Sequence, residues 1–329
     1  MRESWLDRIG NTPLVPLNRL FGNTRGIRVF GKLELMNPSG SAKDRPALRI
    51  VRSAWDEGLI APGSVMIESS SGNMAISLAA ICSILGIRFI SVIDPRTASA
   101  NIAIMKAYGA EVSYVDTPDP QTGEFLPARL ERVRQLREAL PGSFWPNQYA
   151  NPNNYLAHYD GTMPEIKASL GRVDYIAGGV STCGTMLGCS RYIADHGLAT
   201  KVIAVDAAGS VIFGGEKGPR RFPGLGAGII PPFGETRFMD YAVNITDREM
   251  AVGCRRLAET EAILAGPSSG AVIAALTGML DDIPDGSTCV VILHDRGERY
   301  MDTVFNDAWM REQFGAAILS EGGDYACST

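Results

Sequence analysis

A lysine stands in a glycine- and serine-rich turn, residues 37–46, at the start of a predicted helix. Apolar residues recur at helical spacing after Lys43, at positions 47, 50, 51 and 54, and Ser41 is the predicted N-cap. An ammonium group in the first turn of a helix opposes the helix dipole, whereas a lysine that has formed an imine loses less there. The pattern fits a carbonyl-binding lysine, and it fits an ordinary solvated lysine in a Lys-Asp-Arg cluster equally well.

Three further loops have the composition of ligand-binding turns. Residues 69–73, 181–185 and 267–270 each follow or lie near a predicted strand and open a helix, which is where α/β folds bind ligands. The second loop places backbone N–H groups and hydroxyls at a helix N-terminus, an arrangement that binds phosphate. One such loop is weak evidence, and this one lacks the glycine patterns of dinucleotide-binding and P-loop sites. A phosphate site, an amide, a hydroxyl at a helix start and an imine-forming lysine together are what pyridoxal phosphate requires.

The elements that must position these residues alternate between strands and helices, which indicates parallel sheets. Strands are predicted at 65–67, 87–93, 110–115, 175–177, 202–205 and 289–293, with helices between them and a helix-capping box at 246–249. The pattern predicts a larger cofactor-binding domain from residues 1–37 and 147–312, a smaller, mobile domain from residues 38–146, and a tail at 313–329. Residues 209–232 form a long glycine- and proline-rich segment of the kind that is often functional.

Composition limits the class of partner. The chain has 329 residues, of which 45% are hydrophobic and 20% charged, and a formal net charge of -5. This acidic balance argues against nucleic acid or a membrane surface and favours a small-molecule partner. Six cysteines occur without metal-ligand spacing, which predicts a reducing compartment and no metal site. The N-terminus has no apolar leader, and no apolar run reaches about 20 residues, so the expected location is the cytoplasm.

Six motifs in order resemble the cysteine synthase family, the fold type II pyridoxal-phosphate enzymes. The matching stretches are residues 9–15, 37–45, 71–73, 224–228, 268–270 and 297–300. The resemblance covers about residues 9–300, and six ordered matches are very specific. It implies an α/β fold of two domains, each with a mainly parallel sheet flanked by helices and with the cofactor in the cleft between them. It also suggests a homodimer.

The resemblance implies a role for each motif residue. Lys43 would bind the cofactor covalently and act as the base for the substrate's α-proton. Asn73 would bind the ring hydroxyl, and Ser268 would face the pyridine nitrogen. The phosphate would be held by Ser181, Thr182, Cys183, Gly184 and Thr185. The expected substrate-binding residues are Ser70, Ser71, Gln148, Tyr149, Arg129, Ser181 and Gly226, with Arg220 and Arg221 as further candidates for binding negative charge.

Departures from the usual family pattern point to one branch. The phosphate loop reads Ser-Thr-Cys-Gly-Thr in place of Gly-Thr-Gly-Gly-Thr, residues 94–101 replace a family segment, and the usual Gln-Phe is Gln148-Tyr149. These features are similar to the branch that uses O-phospho-L-serine as donor and the amino group of L-glutamate as nucleophile. That branch leads to 2,3-diaminopropionate for siderophores or antibiotics.

Other functions are compatible with parts of the sequence. An O-acetylserine or O-phosphoserine sulfhydrylase and a serine or threonine dehydratase are alternatives within the family. Outside it, a catalytically idle protein that binds a partner by the same cleft is opposed by the intact Lys43, Asn73 and Ser268. A nicotinamide-dependent enzyme is a weaker alternative, because the glycine pattern for it is missing.

Overall fold

The computed structural model describes residues 4–22, 24–235 and 237–319. Its strands are β1 (Leu14–Pro16), β2 (Arg28–Leu33), β3 (Val65–Ser69), β4 (Arg88–Ile93), β5 (Glu111–Tyr114), β6 (Tyr175–Gly179), β7 (Lys201–Ala207), β8 (Tyr241–Ile245) and β9 (Thr288–Leu293). Its α-helices are α1 (Asn18–Phe21), α2 (Asp44–Asp56), α3 (Asn73–Leu85), α4 (Ser99–Ala107), α5 (Phe125–Ala139), α6 (Asn153–Ala157), α7 (Met163–Leu170), α8 (Gly184–Asp195), α9 (Asp247–Glu261), α10 (Pro267–Met279) and α11 (Asp307–Phe314). A π-helical turn occupies His158–Thr162, and short 3-10 helices occupy Trp5–Arg8, Thr24–Gly26, Glu34–Met36, Pro232–Glu235, Leu280–Asp282, Gly297–Tyr300 and Ala316–Leu319.

The chain forms two compact units. The smaller contains residues 1–10 and 43–157, and the larger contains residues 11–42 and 158–329. The sequence places the corresponding boundaries at 37/38 and 146/147, which stay predictions about domain organisation. Of the predicted tail at 313–329, residues 320–329 lie outside the described residues, as does Cys327.

The smaller unit is built on the parallel sheet β3-β4-β5. Met66 pairs with Phe89, and Ile90 pairs with Glu111. One face is covered by α2 and α3, whose apolar side chains form a buried cluster with the sheet that includes Ala47, Ile50, Val51, Met66, Leu78, Ile81 and Phe89. Gly86 ends α3 in the left-handed conformation, as its position after the apolar run predicts. Each strand therefore delivers its carboxyl end to a turn that opens the next helix.

The larger unit is built on a six-stranded sheet in the order β1-β2-β9-β6-β7-β8. The short strand β1 is antiparallel to β2, and the remaining pairs are parallel. Both units thus have the mainly parallel α/β sheets that the sequence predicts. The predicted capping box at the start of α9 is also confirmed, since the Thr246 and Glu249 side chains each bond the other's backbone N–H.

Two local predictions need correction. Ser41 is not the N-cap of α2, because the helix begins at Asp44 and Lys43 occupies the cap position. Ser41 instead pairs with Asp295 in an isolated bridge of the larger unit. Strand β8 was missed by the sequence pattern, since Tyr241–Ile245 alternates weakly and is largely exposed. In the ranges that the structure describes, no helix has the length and apolar character needed to cross a membrane.

Candidate active site

The starts of α2 and α3 lie side by side in the smaller unit. Lys43 is half-buried at the cap of α2, and the neighbouring Asp44 is fully buried. The Ser77 hydroxyl lies 2.5 Å from Asp44 Oδ1 and 3.0 Å from the carbonyl oxygen of Asn73, the first residue of α3. Through Asp44, the Ser77 hydroxyl links the helix end that carries Lys43, the predicted cofactor lysine, to the helix end that begins with Asn73, the predicted ring-binding asparagine.

The turn between β3 and α3 is fixed by hydrogen bonds from several directions. Ser70 Oγ accepts a bond from Ala75 N at 3.2 Å, which holds the hydroxyl at the helix N-terminus. The carbonyl oxygen of Ser71 accepts a bond from Asn101 Nδ2 at 3.2 Å. Gln148 is buried, and its Nε2 donates to the carbonyl oxygen of Ser69 at 3.3 Å. Ser70, Ser71 and Gln148, predicted from distant parts of the sequence, therefore belong to one cluster.

Arg129 brings a buried positive charge to this turn. Its side chain extends from α5, is 8% exposed, and donates from Nη1 to Ser71 Oγ at 3.3 Å. The same Nη1 lies 3.5 Å from Asp94 Oδ2, which offsets part of the charge. Tyr149 is half-buried nearby, where burial raises the pKa of its hydroxyl and the charge of Arg129 lowers it. The arrangement can bind an anion beside Ser71.

Glu68 is the residue of this cluster that the sequence analysis missed. It is fully buried near the end of β3, and its carboxylate accepts three N–H bonds. Trp145 Nε1 and Ser69 N donate to Oε1 at 3.1 and 2.8 Å, and Gln148 N donates to Oε2 at 3.1 Å. A charged residue inside an apolar strand was the available signal.

In the larger unit, the predicted phosphate turn leads into α8. Cys183 has a left-handed backbone with φ 68, which lets the turn fold back, and burial raises the pKa of its thiol to about 12. This thiol is therefore protonated at neutral pH. Thr185 Oγ1 lies 3.2 Å from Nε2 of the buried His158, whose Nδ1 is 2.9 Å from Thr162 Oγ1. His158 is a second residue that sequence reasoning missed, and it orients the Thr185 hydroxyl.

The glycine-rich segment 224–228 touches the same turn. Ser181 Oγ donates to the carbonyl oxygen of Gly226 at 3.1 Å, and Gly226 N donates to the carbonyl oxygen of Val180 at 2.7 Å. Gly226 has φ 73, and a Cβ there would lie 2.9 Å from Ser210 Cβ, so the position favours glycine on both grounds. Ser181 and Gly226, both expected from the sequence to bind substrate, are thus in direct contact within this unit, and their role in binding substrate stays a prediction.

Arg221 lies elsewhere on the larger unit. Its backbone N–H and Nη1 contact Asp247 Oδ2 at 3.1 and 3.5 Å, and its Nε donates to Gln313. The guanidinium also lies over the ring of Phe314. These contacts hold Arg221 at the start of α9, and its role in binding negative charge stays a prediction.

Ser268 occupies the second position of α10 and is 9% exposed. The next residue, Ser269, accepts a bond from His294 N at 2.8 Å, and His294 Nε2 accepts a bond from Gly179 N at 2.8 Å. His294 is therefore neutral with its proton on Nδ1. These bonds join the start of α10 to the carboxyl ends of β6 and β9.

The residues of each unit fit pyridoxal phosphate. In the larger unit, hydroxyls of Thr182 and Thr185 and the backbone of a left-handed turn converge at the N-terminus of α8, as a phosphate requires. Ser268 supplies a neutral hydroxyl at a second helix start. In the smaller unit, Lys43 and Asn73 supply an amine and an amide on adjacent helix ends. These residues together supply the groups that the cofactor needs. Among the described residues, no cluster of acidic, histidine and cysteine side chains could hold a metal ion.

Comparisons with known proteins agree with this donor set. A family model described as pyridoxal-phosphate dependent enzyme matches residues 6–295. A protein of Ralstonia nicotianae named N-(2-amino-2-carboxyethyl)-L-glutamate synthase is 46% identical over 94% of this chain and 91% of its own length. A protein of the same name from Cupriavidus metallidurans is also 46% identical over 94% of this chain and 91% of its own. The crystal structure of an O-ureido-L-serine synthase is 31% identical, with a TM-score of 0.86 over 94% of this chain and 99% of that one.

Proposed function

Because the chain belongs to the family of pyridoxal-phosphate-dependent enzymes, we propose that it joins L-glutamate to O-phospho-L-serine. The products are N-(2-amino-2-carboxyethyl)-L-glutamate and phosphate. The family and the relatives make the chain a pyridoxal-phosphate-dependent transferase that catalyses β-replacement. The observation that carries the choice of substrates is the 46% identity, over nearly the whole chain, to the two proteins named for this product.

The contacts of the smaller unit support an anionic amino-acid donor. Ser70, Ser71 and Gln148 offer hydroxyls and an amide around one helix N-terminus, the kind of site that binds a carboxylate. Arg129 adds a fixed positive charge beside Ser71. O-phospho-L-serine carries a carboxylate and a phosphate, and a buried arginine that is only partly neutralised by Asp94 suits its second negative group.

Two of the predicted residues, Lys43 and Ser268, have a direct task in the proposed reaction. Pyridoxal phosphate, when bound, supplies the electron sink that makes the donor's α-proton acidic. Lys43 is the proposed attachment point, and its Nζ takes the α-proton once the donor's amino group has replaced it. Ser268 would offer a neutral hydroxyl to the ring nitrogen of the bound cofactor, which would keep the electron sink weak and favour loss of the β-substituent. The Cβ–O bond breaks with its electron pair leaving on phosphate, the glutamate nitrogen forms the new bond to Cβ and gives up a proton, and Lys43 Nζ returns a proton to Cα.

The setting of the reaction is part of the same proposal. We propose that the product is a precursor of 2,3-diaminopropionate for a siderophore or antibiotic, and that the enzyme is a cytoplasmic homodimer. Five of the described cysteines, Cys82, Cys183, Cys189, Cys254 and Cys289, are buried and form no disulfide, which suits a reducing compartment. Sedimentation of the purified holoenzyme tests the dimer directly.

A product assay tests the proposed reaction. The holoenzyme is incubated with O-phospho-L-serine and L-glutamate, and in parallel with O-acetyl-L-serine and sulfide, and both mixtures are examined by mass spectrometry. We expect the glutamate adduct and phosphate in the first mixture, at a kcat/KM well above that for cysteine in the second. Cysteine as the main product would contradict the proposal and support a sulfhydrylase. Pyruvate as the main product would support a dehydratase.

A further inference from the structure

Three N–H donors converge on one buried carboxylate at the end of β3. Glu68 Oε1 accepts from Trp145 Nε1 and Ser69 N, and Oε2 accepts from Gln148 N. An ionised carboxylate only accepts hydrogen bonds, so three donors match it without conflict. Protonation turns one oxygen into a hydroxyl, which is a weaker acceptor than a carboxylate oxygen and has one acceptor site fewer. The three donors therefore bind Glu68 most strongly when it is ionised.

The two backbone partners of Glu68, Ser69 and Gln148, are the residues at which the two proposed donor-binding turns begin. Ser69 directly precedes Ser70 and Ser71, and Gln148 directly precedes Tyr149. A further bond joins the two turns, since Gln148 Nε2 donates to the carbonyl oxygen of Ser69. Gln148 is also held by Asn154, whose Nδ2 donates to the carbonyl oxygen of Gln148 at 2.6 Å. Trp145 holds the segment before Gln148 to the same carboxylate. Glu68 thus bonds the backbone of both turns through one carboxylate.

We propose that Glu68 is a positioning residue that fixes the Ser70–Ser71 turn and the Gln148–Tyr149 turn against each other, and that it does so only when ionised. It does not touch the reacting atoms. The inference rests on the proposed function for the statement that these turns bind the donor's carboxylate, and it holds for any amino-acid donor that brings the same carboxylate.

The charges around Glu68 set the pH range of this effect. Burial raises the pKa of Glu68 to about 7, against the opposing effects of its three hydrogen bonds and of the Arg129 guanidinium. The other ionisable groups that face this region are the Tyr149 hydroxyl, which is protonated at neutral pH, and Asp94, which pairs with Arg129. The ionised fraction of Glu68 therefore changes around neutral pH, and donor binding should weaken as the pH falls below that range.

Replacement of the carboxylate by an amide tests the proposal in the holoenzyme. In Glu68→Gln the amide NH₂ faces a backbone N–H, so the donor's KM should rise about tenfold or more, with kcat at saturating donor nearly unchanged. The acidic limb of the wild-type log(kcat/KM) profile should disappear in this variant. Glu111→Gln is the matched control, because Glu111 is an exposed acid of the same sheet that pairs with Arg88.

A second variant keeps the carboxylate and moves its titration. Trp145→Phe removes one hydrogen bond that lowers the pKa of Glu68, so the acidic limb should shift to higher pH while the KM at high pH stays near the wild-type value. A residue that only supports folding would change the amount or stability of the protein without moving this limb. If Glu68→Gln does not fold, the Trp145→Phe shift still decides the question.

Each donor is tested with each variant to separate two possible failures. O-acetyl-L-serine has no phosphate that titrates near pH 6, so an acidic limb seen with it belongs to the enzyme. We expect the same KM increase and the same loss of the limb with both donors. A Glu68→Gln enzyme with wild-type KM and an unchanged limb would overturn the positioning role. A wild-type enzyme that uses O-acetyl-L-serine but not O-phospho-L-serine would overturn the proposed function, and the role of Glu68 would still be measured with the accepted donor.

Discussion

At the scale of single residues, the proposed reaction depends most on Lys43, which has two proposed roles. Lys43→Ala should abolish the visible absorbance of the covalently bound cofactor and stop turnover, because the amine that binds the cofactor and takes the α-proton is lost. Lys106→Ala, at an exposed position on α4, is the matched control and should keep both. Spectra and product formation of the two purified variants are compared. A Lys43→Ala enzyme that stays yellow and active would contradict the assignment.

Ser181 stands where the usual phosphate loop of cysteine synthases has a glycine, so its hydroxyl is an added hydrogen-bond donor. Its hydroxyl donates to the carbonyl oxygen of Gly226, and a hydroxyl can rotate towards an anionic leaving group. A hydrogen bond to a charged group contributes about 1.5–3 kcal/mol, so Ser181→Gly should lower kcat/KM for O-phospho-L-serine roughly ten- to over a hundredfold relative to O-acetyl-L-serine. Stopped-flow absorbance with each donor measures the ratio. Equal losses for both donors would show that Ser181 serves only the cofactor or the Gly226 contact.

At the scale of elements, the start of α10 depends on a glycine. A Cβ on Gly266 would lie 2.6 Å from Tyr300 Cε2 and closer still to Asp295 Oδ1, whose carboxylate the Tyr300 hydroxyl already bonds at 2.8 Å. Gly266→Ala should therefore displace the helix start that carries Ser268, at a cost of about 1–3 kcal/mol or more. Gly278→Ala, in the same helix with open space around it, should be neutral or stabilising by about 0.5–1 kcal/mol.

Thermal unfolding of the two glycine variants measures this difference. A weaker cofactor affinity is expected for Gly266→Ala alone, because only that substitution moves Ser268. If both variants unfold at the same temperature and bind the cofactor equally, the close approach at Gly266 does not constrain α10.

The elements also show what local sequence could and could not predict. The capping box at Thr246, the left-handed cap at Gly86 and the turn that opens α8 depend on residues close together in the chain, so patterns of a few residues identified them. Two of the three partners of Glu68 lie 77 and 80 residues away, and no local pattern encodes such pairs. The Ser41 prediction failed for the same reason, since its bridge to Asp295 joins remote segments.

At the scale of the whole molecule, the charge on Glu68 lowers the stability of the fold, because an ionised carboxylate is buried. The same charge is the one that the two donor-binding turns are proposed to need. The pKa of Glu68 is about 7 in the folded protein and 4.5 as an ordinary value. Below the ordinary pKa the group is protonated in both states, and between the two values only the folded state keeps the proton. Stability therefore falls as the pH rises through this window, by on the order of 3 kcal/mol in total.

Glu68→Gln removes this titration, and the free energy of unfolding by urea should show it. The variant should gain stability relative to wild type as the pH rises from about 5 to about 8, because only the wild type must ionise a buried carboxyl. Glu111→Gln is again the control. Its pKa is lowered by Arg88, so its carboxylate is ionised in both states across most of this range and its difference from wild type should stay nearly constant. A Glu68→Gln difference that does not change with pH would mean that Glu68 keeps one charge state throughout. In that case Glu68 would make neither the stability of the protein nor its affinity for the donor depend on pH.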